Sequence, residues 1–366
     1  MADAPEIAVV GAGIVGLATA YALVEQGATV RVYEAGLPGN AQSAGESRIF
    51  RHAHDDPRLV EHVRRSRAVW EEWEERFGVE LVSRDGVVAI GARAEDRLAA
   101  LERSGDVPAR AIGAAELAER LPLLAAYDGP AMLDERGGAI RTRAAIATLA
   151  GALGDAIVTG EVISLRPVTG GRVEVRSVGE RADYSCVVVC SGRDTARLAR
   201  AAGLSLPVRL AAHVRLTFAV KGTPPQRIAC LQDGSGRFGE AGVYATPMPG
   251  NGRYAVGLSQ TVAVRDDGAL LEPAELAALA ERASAYVGRA LPGLDREPVD
   301  VVHCWVTDLP WSEDGIAVWE ADGMLFAAGH NLFKLAPWLG RALARAANGE
   351  GLEPDLLPAA RLGEPG

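Results

Sequence analysis

The sequence has few cysteines, a deficit of positive charge and no long apolar run, and each shortage excludes a class of protein. Four cysteines in 366 residues are too few and too scattered for a disulfide framework or a zinc site. The 38 basic side chains are outnumbered by 48 acidic ones, and a net charge of −10 argues against nucleic acid as a partner. No apolar run approaches the roughly 20 residues that a membrane-spanning helix needs.

The first residues of the sequence do not have the pattern of a secretion signal. Met1 to Pro5 contain neither a basic region nor a cleavable apolar segment before the first predicted strand. We therefore predict a soluble protein in the reducing cytoplasm, either a monomer or a small homo-oligomer. We expect about the last dozen residues to form a loosely held tail.

The first residues have the pattern of a βαβ unit around a glycine-rich loop. An apolar run from Glu6 to Val10 predicts a strand, Ile14 to Gln26 has helical spacing, and Thr29 to Tyr33 is rich in β-branched and aromatic residues. A loop of this type places backbone N–H groups and the positive end of a helix dipole against a pyrophosphate. Its residues are Gly11, Ala12, Gly13, Ile14, Val15 and Gly16.

An acidic residue completes this dinucleotide pattern. Glu34 ends the second predicted strand, 23 positions after Gly11. A carboxylate there accepts hydrogen bonds from the ribose hydroxyls of adenosine and disfavours a 2′-phosphate. Together these features favour a dinucleotide site over an unliganded glycine-rich turn, but they do not separate FAD from NAD.

The rest of the chain mixes two kinds of pattern. Residues 57–77 predict a charged surface helix that begins with Pro57 and ends before Gly78. The buried run 187–190 has the composition of a further strand of a parallel sheet, whereas residues 206–265 alternate in the way typical of an antiparallel sheet.

Three further segments match the motifs of one flavoprotein group in order and spacing. They are Gly45-Glu46-Ser47-Arg48-Ile49-Phe50-Arg51-His52-Ala53, His303-Cys304-Trp305-Val306-Thr307-Asp308 and Ala327-Ala328-Gly329-His330-Asn331-Leu332-Phe333-Lys334. Together they resemble segments of the D-amino-acid-oxidase-like flavoproteins, the group that includes monomeric sarcosine oxidase. The resemblance covers nearly the whole chain.

This resemblance implies FAD as the cofactor and an α/β fold with α+β elements. In such a fold a Rossmann-type FAD-binding domain is interleaved with an antiparallel-sheet substrate domain, and the flavin lies between them. The FAD-binding domain is expected to comprise residues 1–80, 141–205 and 300–366. The substrate-binding domain is expected to comprise residues 81–140 and 206–299.

The resemblance also implies roles for individual residues. Arg51 and Lys334 match residues that hold a substrate carboxylate, which suits a forked guanidinium and an ammonium. Arg48 matches an arginine close to the flavin ring, Tyr244 a tyrosine that lines the substrate cavity, and Cys304 the cysteine bonded to the flavin. The expected cofactor contacts are Gly11, Gly13, Ile14, Val15, Gly16, Glu34, Ser47, Arg48, Val162, Ser191, Gly192, Cys304, Gly329, His330 and Lys334.

Each role has a plainer alternative. Arg51 or Lys334 singly could form an ordinary salt bridge, and Tyr244 could be simple core packing. We expect His52 and His330 to be fixed hydrogen-bond partners rather than bases. Small free cysteines are usually buried in the core, which is the alternative for Cys304 and the expectation for Cys186, Cys190 and Cys230.

Two positions depart from the pattern of the group. Ala255 stands where an oxygen-activating lysine is expected, and Ser259 where a substrate-contacting histidine is expected. A cation near the flavin stabilises developing superoxide, so its loss should slow the reaction with O₂ unless another cation substitutes. The turn from Gly329 to Lys334 is also two residues shorter.

The resemblance implies oxidation of the C–N bond of a small carboxylate-bearing secondary or N-methyl amine. Hydride transfer to flavin N5 gives an imine and, with O₂, hydrogen peroxide, and no strong base is needed if the amine binds neutral. One alternative, favoured by Ala255 and Ser259, is an amine dehydrogenase or a biosynthetic cyclic-imine or amino acid oxidase with another acceptor or substrate. The other is a nucleotide-binding structural or regulatory protein that has lost the site.

Overall fold

A computed structural model describes residues 6–105, 107–265 and 268–365. Within them the helices are α1 (Ile14–Glu25), α2 (Pro57–Phe77), α3 (Arg93–Ser104), α4 (Ala114–Arg120), α5 (Thr142–Leu153), α6 (Thr195–Ala201), α7 (Pro273–Ala290) and α8 (Ala336–Arg345). None of these helices is long and apolar enough to cross a membrane. The strands are β1 (Glu6–Val10), β2 (Thr29–Glu34), β3 (Ser47–Phe50), β4 (Val87–Ile90), β5 (Ala109–Ala111), β6 (Ala131–Asp134), β7 (Gly138–Arg141), β8 (Ile157–Thr159), β9 (Val162–Val168), β10 (Arg172–Ser177), β11 (Glu180–Tyr184), β12 (Cys186–Val189), β13 (Arg209–Val220), β14 (Cys230–Asp233), β15 (Val243–Pro247), β16 (Arg253–Leu258), β17 (Val262–Ala263), β18 (Leu294–Asp308), β19 (Ile316–Ala321) and β20 (Met324–Gly329).

A six-stranded sheet with the order β19-β20-β12-β1-β2-β8 organises one part of the molecule. Its strands are parallel except β19, which is antiparallel to β20. Helices α1, α2, α5 and α8 cover one face with apolar side chains, and the small antiparallel sheet β9–β11 with α6 covers the other. Because both faces are buried, the strands are continuous apolar runs, and the predicted Rossmann-type fold is confirmed.

Helix α2 shows how local sequence sets the ends of an element. Asp56 accepts a hydrogen bond from the backbone N–H of Arg58 at 2.9 Å, and Pro57 occupies the first turn, where it has no N–H to satisfy. Gly78 ends the helix in the left-handed conformation with a φ of 65°. The predicted span 57–77 is therefore confirmed.

A nine-stranded sheet organises the second part, with the order β17-β13-β16-β15-β14-β4-β6-β5 and with β18 also paired to β13. All pairs are antiparallel except β14 with β4, so the antiparallel sheet predicted for residues 206–265 is confirmed. Helices α4 and α7 pack on one face through a second apolar core. Polar residues of the opposite face line the cavity described below.

Two expectations about the carboxyl-terminal part need correction. Strand β18 crosses the boundary expected at residue 300 and pairs with β13 of the nine-stranded sheet as far as Asp308. We therefore place the domain boundary after Asp308. The final residues are not a loose tail, because Leu356 and Leu362 are fully buried and Leu362 pairs with Ile316.

Candidate active site

A cavity of about 1020 Å³ is lined by residues from both large sheets. Its volume is at the upper end of the range of about 300–1,000 Å³ for ligand pockets, as a large ligand requires. Most predicted site residues line it, although they come from distant parts of the chain. They are Gly11, Gly13, Ile14, Val15, Glu34, Arg48, Arg51, Val162, Ser191, Gly192, Tyr244, Cys304, Gly329, His330 and Lys334.

Gly16 and Ser47, two expected cofactor contacts, are not among the lining residues. A Cβ on Gly16 would overlap the carbonyl oxygen of Gly11, so this glycine lets α1 approach the loop closely. Ser47 is fully buried, and its hydroxyl lies 2.7 Å from the hydroxyl of Thr246. Their surroundings give both residues supporting positions behind the cavity wall, and their contact with the cofactor stays a prediction.

The glycine loop and Glu34 form a site suited to the phosphate and ribose groups of a dinucleotide. One oxygen of Glu34 accepts a hydrogen bond from Ala12 N at 2.7 Å and the other from Gly36 N at 2.9 Å, which holds the carboxylate at the loop. Gly11 has a φ of 98°, a conformation that favours glycine. The N-cap residue of helix α1 is Gly13, which has no side chain to accept a hydrogen bond from the first turn. Instead, Ser43 Oγ accepts a hydrogen bond from Ile14 N at 3.0 Å.

Arg51 and Lys334 converge on a carboxylate that the sequence analysis missed. Oδ2 of Asp314 lies 2.9 Å from Arg51 Nη2 and 3.0 Å from His54 Nδ1. Its Oδ1 lies 4.0 Å from Lys334 Nζ and accepts a hydrogen bond from Asn331 Nδ2 at 2.7 Å. The two cations expected to bind a substrate carboxylate therefore already face an internal one.

The protonation states of this cluster follow from its burial and charge. Burial lowers the pKa of Lys334 to about 7, against the attraction of Asp314. Although burial opposes it, the charges of Arg51 and Lys334 and the hydrogen bond with His54 hold the pKa of Asp314 well below its ordinary value. Burial and the charge of Arg51 lower the pKa of His54 to about 3. Near neutral pH, Asp314 is charged, His54 is neutral, and Lys334 is close to half protonated.

Strand β13 contributes two cavity residues that the sequence analysis did not single out. His213 and Arg215 line the cavity, whereas the alternate residues Val214, Leu216 and Phe218 belong to the core beneath. This alternation follows from the strand period of two. It was the signal in the sequence that could have identified both residues.

Tyr244 lies on the same face of the sheet. Its ring packs on Gly257, where a Cβ would overlap the ring atoms, and its hydroxyl lies 3.4 Å from a ring nitrogen of His213. Burial raises the pKa of Tyr244 and lowers the pKa of His213 to about 3. Both side chains are therefore uncharged at neutral pH.

The two positions that depart from the expected pattern carry no free charged group. Ala255 is fully buried and is not among the lining residues. Ser259 lines the cavity, but its hydroxyl donates to the carbonyl of Gly242 at 2.7 Å. Neither residue supplies a cation or a titratable side chain.

The cysteines divide between cavity and core. Cys304 lines the cavity and stands opposite His213 in the register of β18 with β13. Cys186 and Cys230 are buried in the core as predicted, and burial raises the pKa of each thiol to about 12. Cys190 packs against the core as predicted and also lines the cavity, and burial raises its pKa to about 12 as well.

The motif histidines are fixed by hydrogen bonds, as predicted. Nδ1 of His52 lies 3.0 Å from both carboxylate oxygens of the buried Asp134. His330 Nδ1 lies 3.1 Å from the carbonyl oxygen of Glu313, and burial lowers the pKa of His330 to about 4. His330 is therefore neutral at physiological pH.

Comparison with known proteins identifies the family. Residues 6–346 match the sequence model of DAO, the FAD dependent oxidoreductases. The chain belongs to the DAO family. The cofactor of this DAO-family member is therefore FAD, and the glycine loop and Glu34 line its cavity.

Individual similar proteins match either a short part of this chain or nearly all of it at low sequence identity. Monomeric sarcosine oxidase from Bacillus sp. (strain B-0618) is 33% identical over 98 residues, which are 26% of this chain and 25% of that protein. NikD, an unusual amino acid oxidase essential for nikkomycin biosynthesis, has a TM-score of 0.80 at 21% identity, covering 99% of this chain and 97% of that one. L-Proline dehydrogenase from P. horikoshii has a TM-score of 0.75 at 19% identity, covering 100% and 98%. The two structural similarities show the common fold.

Proposed function

We propose that this protein uses FAD to oxidise the C–N bond of a small carboxylate-bearing secondary or N-methyl amine. The observation that carries the proposal is the meeting of Arg51 and Lys334 in the cavity that also contains the dinucleotide loop. Bound FAD supplies the acceptor for a hydride from the carbon next to nitrogen, which leaves an imine, and reoxidation by O₂ yields hydrogen peroxide.

Arg51 and Lys334 are suited to hold the substrate through its carboxylate. The guanidinium offers forked donors and the ammonium a compact charge, and both act in a partly desolvated site where charge-assisted hydrogen bonds are strong. Asp314 accepts hydrogen bonds from Arg51 and Asn331 in the free protein, so a substrate carboxylate competes with it for donors. When no substrate is bound, Asp314 therefore balances the positive charge of Arg51 and Lys334.

The cavity does not need a dedicated strong base. His54 and His213 have pKa values lowered to about 3, so they are neutral at physiological pH and are only weak bases. Of the two residues that face Asp314 as cations, Arg51 and Lys334, it is Lys334 that can exchange a proton near neutral pH, because its pKa is lowered to about 7. If the amine arrives as an ammonium ion, uncharged Lys334 Nζ can accept its proton.

A second candidate function is a dehydrogenase or a biosynthetic amine oxidase that transfers its electrons to an acceptor other than O₂. The observation that favours it is the absence of a cation at Ala255 and of a histidine at Ser259. The similarity in fold to both an amino acid oxidase and a proline dehydrogenase is compatible with either candidate.

The experiment that tests the proposal is anaerobic titration of purified holoenzyme with N-methyl amino acids and cyclic secondary amino acids. We expect the visible flavin band to bleach, and O₂ admitted afterwards to restore it with one hydrogen peroxide per flavin. The matched control is the same amine without its carboxylate. Bleaching without reoxidation by O₂ supports the dehydrogenase, and no bleaching by any carboxylate-bearing amine contradicts C–N oxidation.

Covalent attachment of FAD through Cys304 is a separate proposal with its own prediction. A thioether to the flavin survives unfolding, whereas non-covalent FAD dissociates when the cavity is lost. After acid precipitation we therefore expect the yellow colour in the pellet for the native protein and in the supernatant for Cys304→Ser. Complete release from the native protein would refute the bond and leave FAD binding intact.

A further inference from the structure

Two guanidinium groups in the cavity, the half-buried Arg48 and the buried Arg215, form no ion pair with a carboxylate in the part of the chain that the structure describes. Arg215 is 4% exposed, and its Nη1 donates to the carbonyl of Ser47 at 3.0 Å. Arg48 Nη1 donates to the same oxygen at 2.9 Å, and its Nη2 donates to the carbonyl of Ala44 at 2.5 Å. One carbonyl thus holds two cations side by side.

The backbone beside this arginine pair, Arg48 and Arg215, is shaped to admit both groups. A Cβ on Gly45 would lie 2.7 Å from Arg215 Nη2 and 2.8 Å from Arg48 Nη1. Gly45 also has a φ of 113°, which other residues rarely adopt. A side chain at this position would push the two guanidiniums out of place.

The arginine pair carries positive charge that no carboxylate among the described residues pairs with. Burial and then the charge of Arg215 lower the pKa of Arg48 to about 10, so Arg48 remains protonated at neutral pH. The Nε of Arg215 is buried and has no hydrogen-bond partner among the described residues. Buried cations are unfavourable unless an anion pairs with them. By contrast, Arg51 and Lys334 face Asp314.

Arg215 lies on β13 of the nine-stranded sheet, whereas Arg48 lies on β3, which pairs with β7 in a separate two-stranded sheet. Cys304 and Tyr244 lie near enough to Arg48 to influence its pKa. Arg215 stands opposite Gly257 on β16, two residues along that strand from Ala255. The strand that lacks the expected lysine therefore lies directly beside the strand that supplies an arginine.

We propose that Arg48 and Arg215 together stabilise the negative charge that FAD acquires on reduction, with Arg215 supplying the cation that is absent at Ala255. A hydride brings two electrons and one proton to a neutral ring, and the product keeps one negative charge until a further proton is added. Preorganised cations near that charge favour the reduced state. This inference rests on the proposed function only in that FAD is reduced during turnover.

The test uses holoenzyme and no amine, so its failure is distinct from failure of the proposed substrate. Sulfite is the probe, because it adds to oxidised flavin, bleaches the visible band and leaves the ring negatively charged. For Arg215→Met we expect a sulfite Kd at least about tenfold weaker. We expect a midpoint potential about 30 mV lower, which is a tenfold change in the equilibrium for a two-electron couple.

Two variants serve as controls. Arg215→Lys keeps the charge and is expected to stay within about threefold of the native sulfite Kd. Arg253→Met removes a cation that is exposed and paired with Glu46 at 2.8 Å outside the cavity, and it should change neither quantity. If Arg215→Met fails to retain FAD, Arg215→Gln replaces it with a neutral polar side chain.

Three results would overturn the proposal. The first is an unchanged potential in a neutral Arg215 variant that contains its full complement of FAD. The second is weaker sulfite binding without a change in potential, since this would show attraction of the incoming anion only. The third is an equal shift in Arg253→Met, which would show an effect of net charge alone.

Discussion

Arg51→Met is expected to lower kcat/KM for a carboxylate-bearing amine by about 100-fold to 10,000-fold. Each hydrogen bond to a charged group contributes about 1.5–3 kcal/mol, and a forked guanidinium can make two of them to one carboxylate. The variant also leaves Asp314 without its 2.9 Å partner. Steady-state kinetics over a range of amine concentrations, with FAD content measured in parallel, gives the size of the loss.

Two comparisons separate loss of the contact between Arg51 and the substrate carboxylate from general damage to the enzyme. With an amine that lacks a carboxylate, Arg51→Met should change kcat/KM by less than about threefold, because the missing hydrogen bonds are not made. Arg51→Lys should lose less than Arg51→Met with the carboxylate-bearing amine, because it keeps the charge without the fork. An equal loss with both substrates would contradict the role of Arg51 as a carboxylate ligand.

Gly16→Ala is expected to abolish stoichiometric FAD binding. The added methyl group would overlap the carbonyl of Gly11, and it would contact Cys190 Cβ at 3.4 Å. Since the obstacle is backbone, α1 must move away from the loop, at a cost of about 1–3 kcal/mol in the free energy of unfolding. We expect at least a tenfold lower affinity for added FAD, measured by flavin fluorescence, and a lower urea midpoint.

The matched control is another glycine-to-alanine change within a helix. Gly151 lies in α5, is exposed, and has nothing within 4 Å of the Cβ it would gain. Gly151→Ala should therefore bind FAD normally and be slightly more stable, because alanine favours the helix by about 0.5–1 kcal/mol. Normal FAD content in Gly16→Ala would show that the close approach of α1 is not needed.

Elements with strong local signals were predictable from the sequence. Helix α2 could be delimited because Pro57, Gly78 and the apolar spacing between them are all local. Strand β3 was not predicted, since its four residues offer too few positions for an alternating pattern and it is defined by its pairing with β7. The same reason explains the misplaced boundary in β18, whose length is set by its partner β13.

The site was predictable where a motif carries the chemistry. Arg51, Cys304 and Lys334 lie in segments with a recognisable order, and all three line the cavity. Asp314 had no such signal, because it lies in a short irregular segment and meets Arg51 across 263 positions of the chain. Its contacts depend on how the last strands return to the six-stranded sheet.

The sequence by itself determined the family, the dinucleotide loop and most of the residues that line the cavity, because these depend on local spacing and residue type. Only the tertiary structure decided that Asp314 faces Arg51 and Lys334 and that Ser47 and Gly16 lie behind the cavity wall. It also decided that Arg48 and Arg215 have no carboxylate partner within residues 6–105, 107–265 and 268–365. Charge balance in a buried site is a sum over residues brought together by strand register and packing. The charge balance of the site therefore has no local pattern in the sequence and is set only when the sheets are assembled.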